Sequence, residues 1–475
     1  MALSATARRL SKLIITAEGV STFHCTAAQS WWNCRHPKRR LASSSSSFPT
    51  DHTGTTNGSG TTAFATGTAE DEWADIDATV APYVKSCLPS EDEPKDNRKR
   101  WDTQFHIHLL GTGAGTSTHR MPACTVVRLG AGDGLVFDAG EGSRIQVKKS
   151  IVKMKTLSRF FITHLHADHV LGLPSLLLTV AQAGPPDEDS VIQVYGPPGL
   201  YNFVVANLAL THSSLGRTTV EVFELVGGQC RVHWQRRAMT GSFPAFRHDN
   251  VVRKTLRCDE DGLWKVKVFQ EITRETDNRA MDYQITAGEV YHVPHVPTFG
   301  YVIEEQQPLP RIDVERAESL GVESGVKFKL LKNGFAVMDE SGKREVKPEE
   351  ITVKSPFKAR KVAILGDTCG IPPPMARLCQ NVDVLLHEAT MLNEEKRSLG
   401  LKRGHSTAAM AGEFADAVNA DLLVLNHLNH SGGMTQQAAR EAEGSIKGGT
   451  RVVSALDFME LAIPREGFKF GGNPL

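Results

Sequence analysis

Phe161-Ile162-Thr163-His164-Leu165-His166-Ala167-Asp168-His169 is the stretch on which the reading of this chain turns. Ser158 to Thr163 reads as a buried strand, and the six residues after it crowd together three imidazoles and a carboxylate. A single histidine is usually an ordinary surface or core residue, but this density suits borderline metals, which take imidazole and carboxylate ligands. In an extended segment residues i and i+2 point the same way, so His164 and His166 face one ion. Asp168 and His169 lie past the turn, within reach of a second, and two metals are expected. The bland alternative is a His-rich loop without function.

One cluster supplies only two ligands per ion, so further ligands must arrive from later strand ends. Asp367 follows the apolar run Lys361 to Leu365 through a glycine. A carboxylate there is placed to bridge two cations; otherwise it is a plain turn residue. His427, with His430 beside it, ends the run Leu422 to Leu425 in the same way. Turns that converge on one metal centre must come from strand ends at one edge of a sandwich, which predicts two packed sheets flanked by helices over roughly residues 101–475.

Working outward, Phe105 to Leu110, Thr125 to Leu129 and Gly134 to Phe137 read as short strands joined by tight turns. Leu171 to Ala183 reads as a buried helix. The closing third alternates strand and helix: strands at Lys361 to Leu365, Val382 to Leu386 and Leu422 to Leu425, helices at Ser406 to Val418 and Thr435 to Glu443. Two stretches, 227–276 and 304–358, are polar or rich in Lys, Glu, Gly and Pro, and read as insertions outside the core.

The chain has 475 residues, 40% of them hydrophobic, enough for at least one substantial core. Lys+Arg and Asp+Glu are both 54, so bulk basicity does not hold the protein on nucleic acid or an anionic membrane. No stretch approaches the ~18 to 20 uninterrupted apolar residues of a membrane span. The 8 cysteines form no CxxC pair and read as free thiols in a reducing compartment. Residues 1–67 form a leader that is rich in Arg and Lys, poor in acid and contains the serine run Ser43 to Ser47. That is a transit-peptide composition, for mitochondrion or plastid, with a disordered tail as the alternative. Residues 68–100 read as a charged connector.

His164-Leu165-His166-Ala167-Asp168-His169, preceded by Asp138-Ala139-Gly140-Glu141-Gly142 and followed by Gly366-Asp367-Thr368 and His427, resembles the metallo-β-lactamase superfamily. More narrowly the chain resembles ribonuclease Z, the tRNA 3′-processing endonuclease, in its short form. The narrower likeness rests on Leu109-Leu110-Gly111-Thr112-Gly113, Tyr195-Gly196-Pro197-Pro198-Gly199, Phe299-Gly300-Tyr301, Leu386-His387-Glu388-Ala389-Thr390 and Gly404-His405-Ser406-Thr407, and spans roughly residues 104–430. It implies an α/β fold, the αββα metallo-β-lactamase sandwich with an inserted arm.

The resemblance further implies two Zn2+ ions. His164, His166 and a third histidine hold one; Asp168, His169 and His427 hold the other; Asp367 bridges. The family's third histidine falls where this chain has Pro294; His295 is the expected ligand, one residue on, with His292 two residues earlier as the alternative. Asp168 is implied as proton acceptor and His405, polarised by Glu388, as proton donor to the leaving oxygen. Precursor tRNA is the implied partner and a homodimer the implied assembly. The segment Gly321 to Val337 matches the family's tRNA-gripping arm, with Glu323-Ser324-Gly325-Val326 where the family has a proline-rich turn. The stretch supplies Lys327, Lys329, Lys332, Lys343, Arg344 and Lys347, local charge a neutral protein needs for RNA. Two rival readings are a metallo-hydrolase of a small ester or thioester on the same fold, and a binding homologue without catalysis.

Overall fold

The computed structural model describes Trp73 and residues 76–89, 105–115, 117–129, 134–184, 188–228, 246–270, 281–306, 310–353, 358–392, 396–429 and 433–470. The leader, most of the connector and His430 lie outside these residues.

Among the described residues two large sheets carry the fold. The first has the order β1-β20-β2-β3-β4-β5-β6-β7-β8 and comprises β1 (Val84–Ser86), β2 (Phe105–Gly111), β3 (Cys124–Leu129), β4 (Gly134–Phe137), β5 (Leu157–Phe161), β6 (Ser190–Gly196), β7 (Thr218–Val226), β8 (Val251–Arg257) and β20 (Met459–Ile463). The second, β19-β18-β17-β16-β11-β10-β9, comprises β9 (Trp264–Gln270), β10 (Met281–Val290), β11 (Thr298–Glu305), β16 (Lys361–Leu365), β17 (Val384–Glu388), β18 (Leu422–Asn426) and β19 (Arg451–Ser454). The helices are α1 (Ser143–Lys149), α2 (Ala167–Val170), α3 (Leu173–Ala183), α4 (Leu200–Leu210), α5 (Val314–Ser319), α6 (Val326–Lys332), α7 (Pro348–Ile351), α8 (Pro373–Leu378), α9 (Arg397–Arg403), α10 (Ala408–Ala417) and α11 (Gly433–Glu443).

Period-two alternation stacks these elements into layers. Phe105, Ile107 and Leu109 of β2 share a core with Ile285 and Ala287 of β10 and Val362 and Ile364 of β16, so the two sheets pack face to face. Leu110 turns the other way, onto a second core with Val147 of α1, Leu176 of α3 and Val204 of α4. Ala363 and Leu365 of β16 turn toward Met375 of α8, Ala411 of α10 and Ala438 of α11. The architecture is therefore αββα, as expected.

Pairing is parallel from β4 to β8 and from β16 to β19, while β10, β11 and β16 alternate in direction. The C-terminal ends of β10, β16, β17 and β18 consequently open on one edge. There they meet the turn after β5.

Two boundaries differ from expectation. Of residues 227–276, those described at 246–270 are not outside the core: β8 extends the first sheet and β9 the second, and the fully buried Trp264 packs edge-on to Phe299 with its indole N–H donating to Val226 O at 3.0 Å. The connector likewise contributes β1, which pairs with β20, and the buried Val80 and Cys87. The chain between β11 and β16 leaves the sheet and forms its own small core of Ala317, Val322, Leu331, Val337, Val346 and Ile351. Two short pairs build this arm: β12 (Arg311–Ile312) with β15 (Thr352–Val353), and β13 (Val337–Met338) with β14 (Glu345–Val346).

Candidate metal centre

β5 ends at Phe161, and its continuation is fixed by Asp138 at the end of β4, whose carboxylate accepts from Thr163 N at 2.7 Å and Thr163 Oγ1 at 2.8 Å. Asp138 and His427 both adopt left-handed backbone, φ 57° and 53°, conformations that cost a non-glycine residue about 1 to 3 kcal/mol and concentrate at functional sites. The short α2 carries Asp168 and His169 past the turn from His164 and His166.

Three overlapping groups of ligand atoms result: His164, His166, His292 and Asp367; Asp168, His169 and His427; and Asp367, His405 and His427. In the first, His164 Nε2 lies 2.9 Å from His166 Nδ1, His292 Nε2 lies 3.3 Å from the same atom, and Asp367 Oδ2 is 3.7 Å from His164 Nε2. In the second, His427 Nε2 is 3.1 Å from His169 Nε2, 3.3 Å from Asp168 Oδ2 and 3.4 Å from Asp367 Oδ1. A tetrahedral ion with bonds of ~2.0 to 2.1 Å keeps its ligands ~3.3 Å apart, close to this spacing.

The outer hydrogen bonds decide which ring nitrogens bear protons. His169 Nδ1 donates to Asp138 Oδ2 at 2.7 Å, and His292 Nδ1 donates to Gly404 O at 2.6 Å. Thr163 Oγ1 gives its own proton to Asp138, so it accepts from His164 Nδ1 at 3.1 Å. Thr390 Oγ1 donates to Glu388 Oε2 at 2.5 Å and so accepts from His427 Nδ1 at 2.9 Å. His164, His292 and His427 thus turn an unprotonated Nε2 inward, whereas for His169 burial opposes charge but Asp367 and Asp138 raise its pKa well above the usual imidazole value, so it would release its Nε2 proton on binding a cation. Lone pairs facing one another at this distance repel unless a cation lies between them. Asp367 Oδ1, buried and accepting no hydrogen bond, is a further atom that a cation would satisfy.

Electrostatics agree with a ligand role. Burial pushes His164, His166 and His292 below the usual imidazole pKa and keeps them neutral, the form that binds metal. Burial would raise Asp168, but the neighbouring His427 and His169 side chains hold it down to about 2, an ionised acceptor at neutral pH. For His405, burial opposes charge, yet the hydrogen bond and charge of Glu388 prevail and raise its pKa to about 9. His405 Nδ1 is 3.0 Å from Glu388 Oε1, which also accepts from Thr368 N at 2.7 Å. Close approach is built in: a Cβ on Gly115 would stand 2.8 Å from Asp168 Oδ2.

The structure thus gathers His164, His166, Asp168, His169, Asp367, His427, His405 and Glu388, and corrects the expectation for His295. That residue is exposed in the turn closed by Val296 N donating to Val293 O, while the buried His292 stands in the first ligand group. Pro294 favours a turn at 293–296, which carries His295 away. His292 continues the alternation of β10 on the side of Val290, a signal present in the sequence. Asp138 and Thr390 stand within motifs that carry the family likeness, but nothing in the sequence gives them or Thr163 a hydrogen-bonding role.

A family model described as Anti-Pycsar protein Apyc1 matches residues 105–192. Zinc phosphodiesterase ELAC protein 1 of Bos taurus is 31% identical over 369 residues, 76% of this chain and 96% of the relative. Ribonuclease Z of Synechocystis sp. is 31% identical over 367 residues, 76% of this chain and 95% of the relative. The crystal structure of human tRNase Z, short form (ELAC1), is similar with a TM-score of 0.48 and 26% identity, over 76% of this chain and 99% of that one.

Proposed function

This chain belongs to the ribonuclease Z family, and we propose that it is the endoribonuclease that removes 3′ trailers from precursor tRNA. The observation that carries this reading is the convergence of five imidazoles and Asp168 on Asp367, with the His405–Glu388 pair beside it. His164, His166, His292 and Asp367 would hold one Zn2+, and Asp168, His169 and His427 a second, with Asp367 Oδ1 within 3.4 Å of both His169 and His427. Two such ions lower the pKa of water toward neutrality and neutralise charge on phosphate oxygens.

The chain's own groups do the rest. Asp168 accepts a hydrogen bond from the attacking water, orients it toward phosphorus and takes up its proton. Glu388, held by Thr368 N and Thr390, fixes Nδ1 of His405 and keeps the imidazolium charged, so Nε2 delivers the proton to the leaving 3′ oxygen. Lysines of α6 and the following hairpin, Lys327, Lys329, Lys332 and Lys343, hold the tRNA by its phosphates at a distance from the metals. The leader directs the chain to mitochondrion or plastid, and the working unit is a homodimer; support comes from leader composition for the first and from the family for the second.

Incubation with a tRNA precursor carrying a 3′ trailer tests the reading: cleavage just after the discriminator base is expected. An intact precursor alongside rapid hydrolysis of a small ester or thioester would sink it. A fluorescent fusion of residues 1–60 tests the address, and a cytosolic signal would end that claim. Sedimentation at micromolar concentration tests the dimer.

A further inference from the structure

The arm continues from the end of β11 and returns to the start of β16. Glu304 pairs with Lys361 at the last described rung of the sheet, and the same two chain segments pair again in the arm at Arg311 and Val353. At the root sits Arg360, its side chain 1% exposed, against Glu305, 7% exposed. The contact is a two-pronged fork: Nε donates to Oε2 at 2.8 Å and Nη2 to Oε1 at 3.0 Å. Nη1 donates to Ile463 O at 3.1 Å in β20 of the other sheet, the guanidinium lies 5.4 Å from the Phe105 ring centroid, and the two backbones exchange Glu305 N to Arg360 O at 2.9 Å. Next to it Lys358 donates to the fully buried Asp383 at 2.8 Å.

A buried ion pair adds little net stability over well-packed apolar groups of similar volume, and fixing geometry is its best-attested use. This one lies about 20 Å along β16 from Asp367, too far to touch the metals, at 3.3 Å per residue. It does lie where two strands turn into the arm, and it ties that junction to both sheets.

We propose that Arg360 and Glu305 are positioning residues for substrate: the pair sets the direction in which the arm leaves the sandwich, and hence where a gripped tRNA presents its 3′ end. This rests on the reading of the arm as the tRNA grip. A small tilt at the root moves the far end of the arm in proportion to its distance, whereas the metal centre does not move.

The test compares the full chain with R360M/E305L, which removes both charges together so that neither is left buried alone, with E305Q, and with a chain lacking Gly321 to Lys347. For R360M/E305L the expected result is unchanged hydrolysis of bis(p-nitrophenyl) phosphate and unchanged kcat on precursor tRNA. KM for that precursor rises on the order of tenfold, less than the ~10² that a misplaced reacting group costs. E305Q moves KM in the same direction. In the arm-deleted chain the double substitution changes nothing further. Unaltered KM in a folded R360M/E305L, or equal loss on both substrates, overturns the inference. If arm deletion itself leaves KM unaltered, the grip reading falls and the clamp with it; if deletion raises KM and the double substitution does not, only the clamp falls.

Discussion

His292 and His295 are three residues apart and chemically identical, so alanine at each separates position from residue type. His292→Ala should lower the bound metal and depress cleavage; His295→Ala, at an exposed turn, should leave both unchanged, as read by metal analysis and precursor processing. Asp367→Ala should empty both positions, because its two oxygens face different ligand groups. His405→Ala is expected to keep both ions and slow hydrolysis ~10² to 10⁴-fold, the usual contribution of a placed proton donor. Loss of metal in that variant would reassign His405 to coordination, for which it has a geometry with Asp367 and His427.

At the scale of elements, β9 decides how far the fold reaches. Trp264 fills the space between the sheets, so Trp264→Ala should destabilise by about 3 to 5 kcal/mol in denaturant unfolding. A cost below about 1 kcal/mol would fit an external insertion instead. Metal-bearing turns are legible in the sequence because coordination restricts both residue type and spacing. The strand Lys361–Leu365 is legible because its apolar run stops at Gly366-Asp367. Strand β9 is less legible: Trp264-Lys265-Val266-Lys267-Val268 alternates with period two, but its outer face is lysine and it sits among charges. The third ligand fails for another reason. A motif fixes the spacing within one turn, whereas His292 belongs to a different strand, and its place depends on how β10 ends.

For the whole molecule, His106 and His108 on β2 lie buried beside Glu460 of β20, His106 Nδ1 at 2.8 Å from its carboxylate. Burial lowers both pKa values, against the pull of Glu460 in the case of His106. The unfolded chain therefore binds these protons first, so stability is full above the ordinary histidine pKa and falls as pH drops below it. The slope is about 1.4 kcal/mol per pH unit for each histidine. Thermal unfolding between pH 7.5 and 5.5 at fixed zinc checks the sign, and H106Q/H108Q should flatten the dependence relative to the parent.

The ligand set opens at His164, after β5 of one sheet, and closes at His427, after β18 of the other. A nascent chain that has released β5 but not yet β18 cannot assemble the second position, so no shortened translation product is an active nuclease while RNA is close at hand. A metal held across the same span would be a late staple between halves made at different times. Depleting it should loosen the two sheets from each other before either loses its own strands, visible as early hydrogen exchange at β17 and β18 while β6 and β7 stay protected.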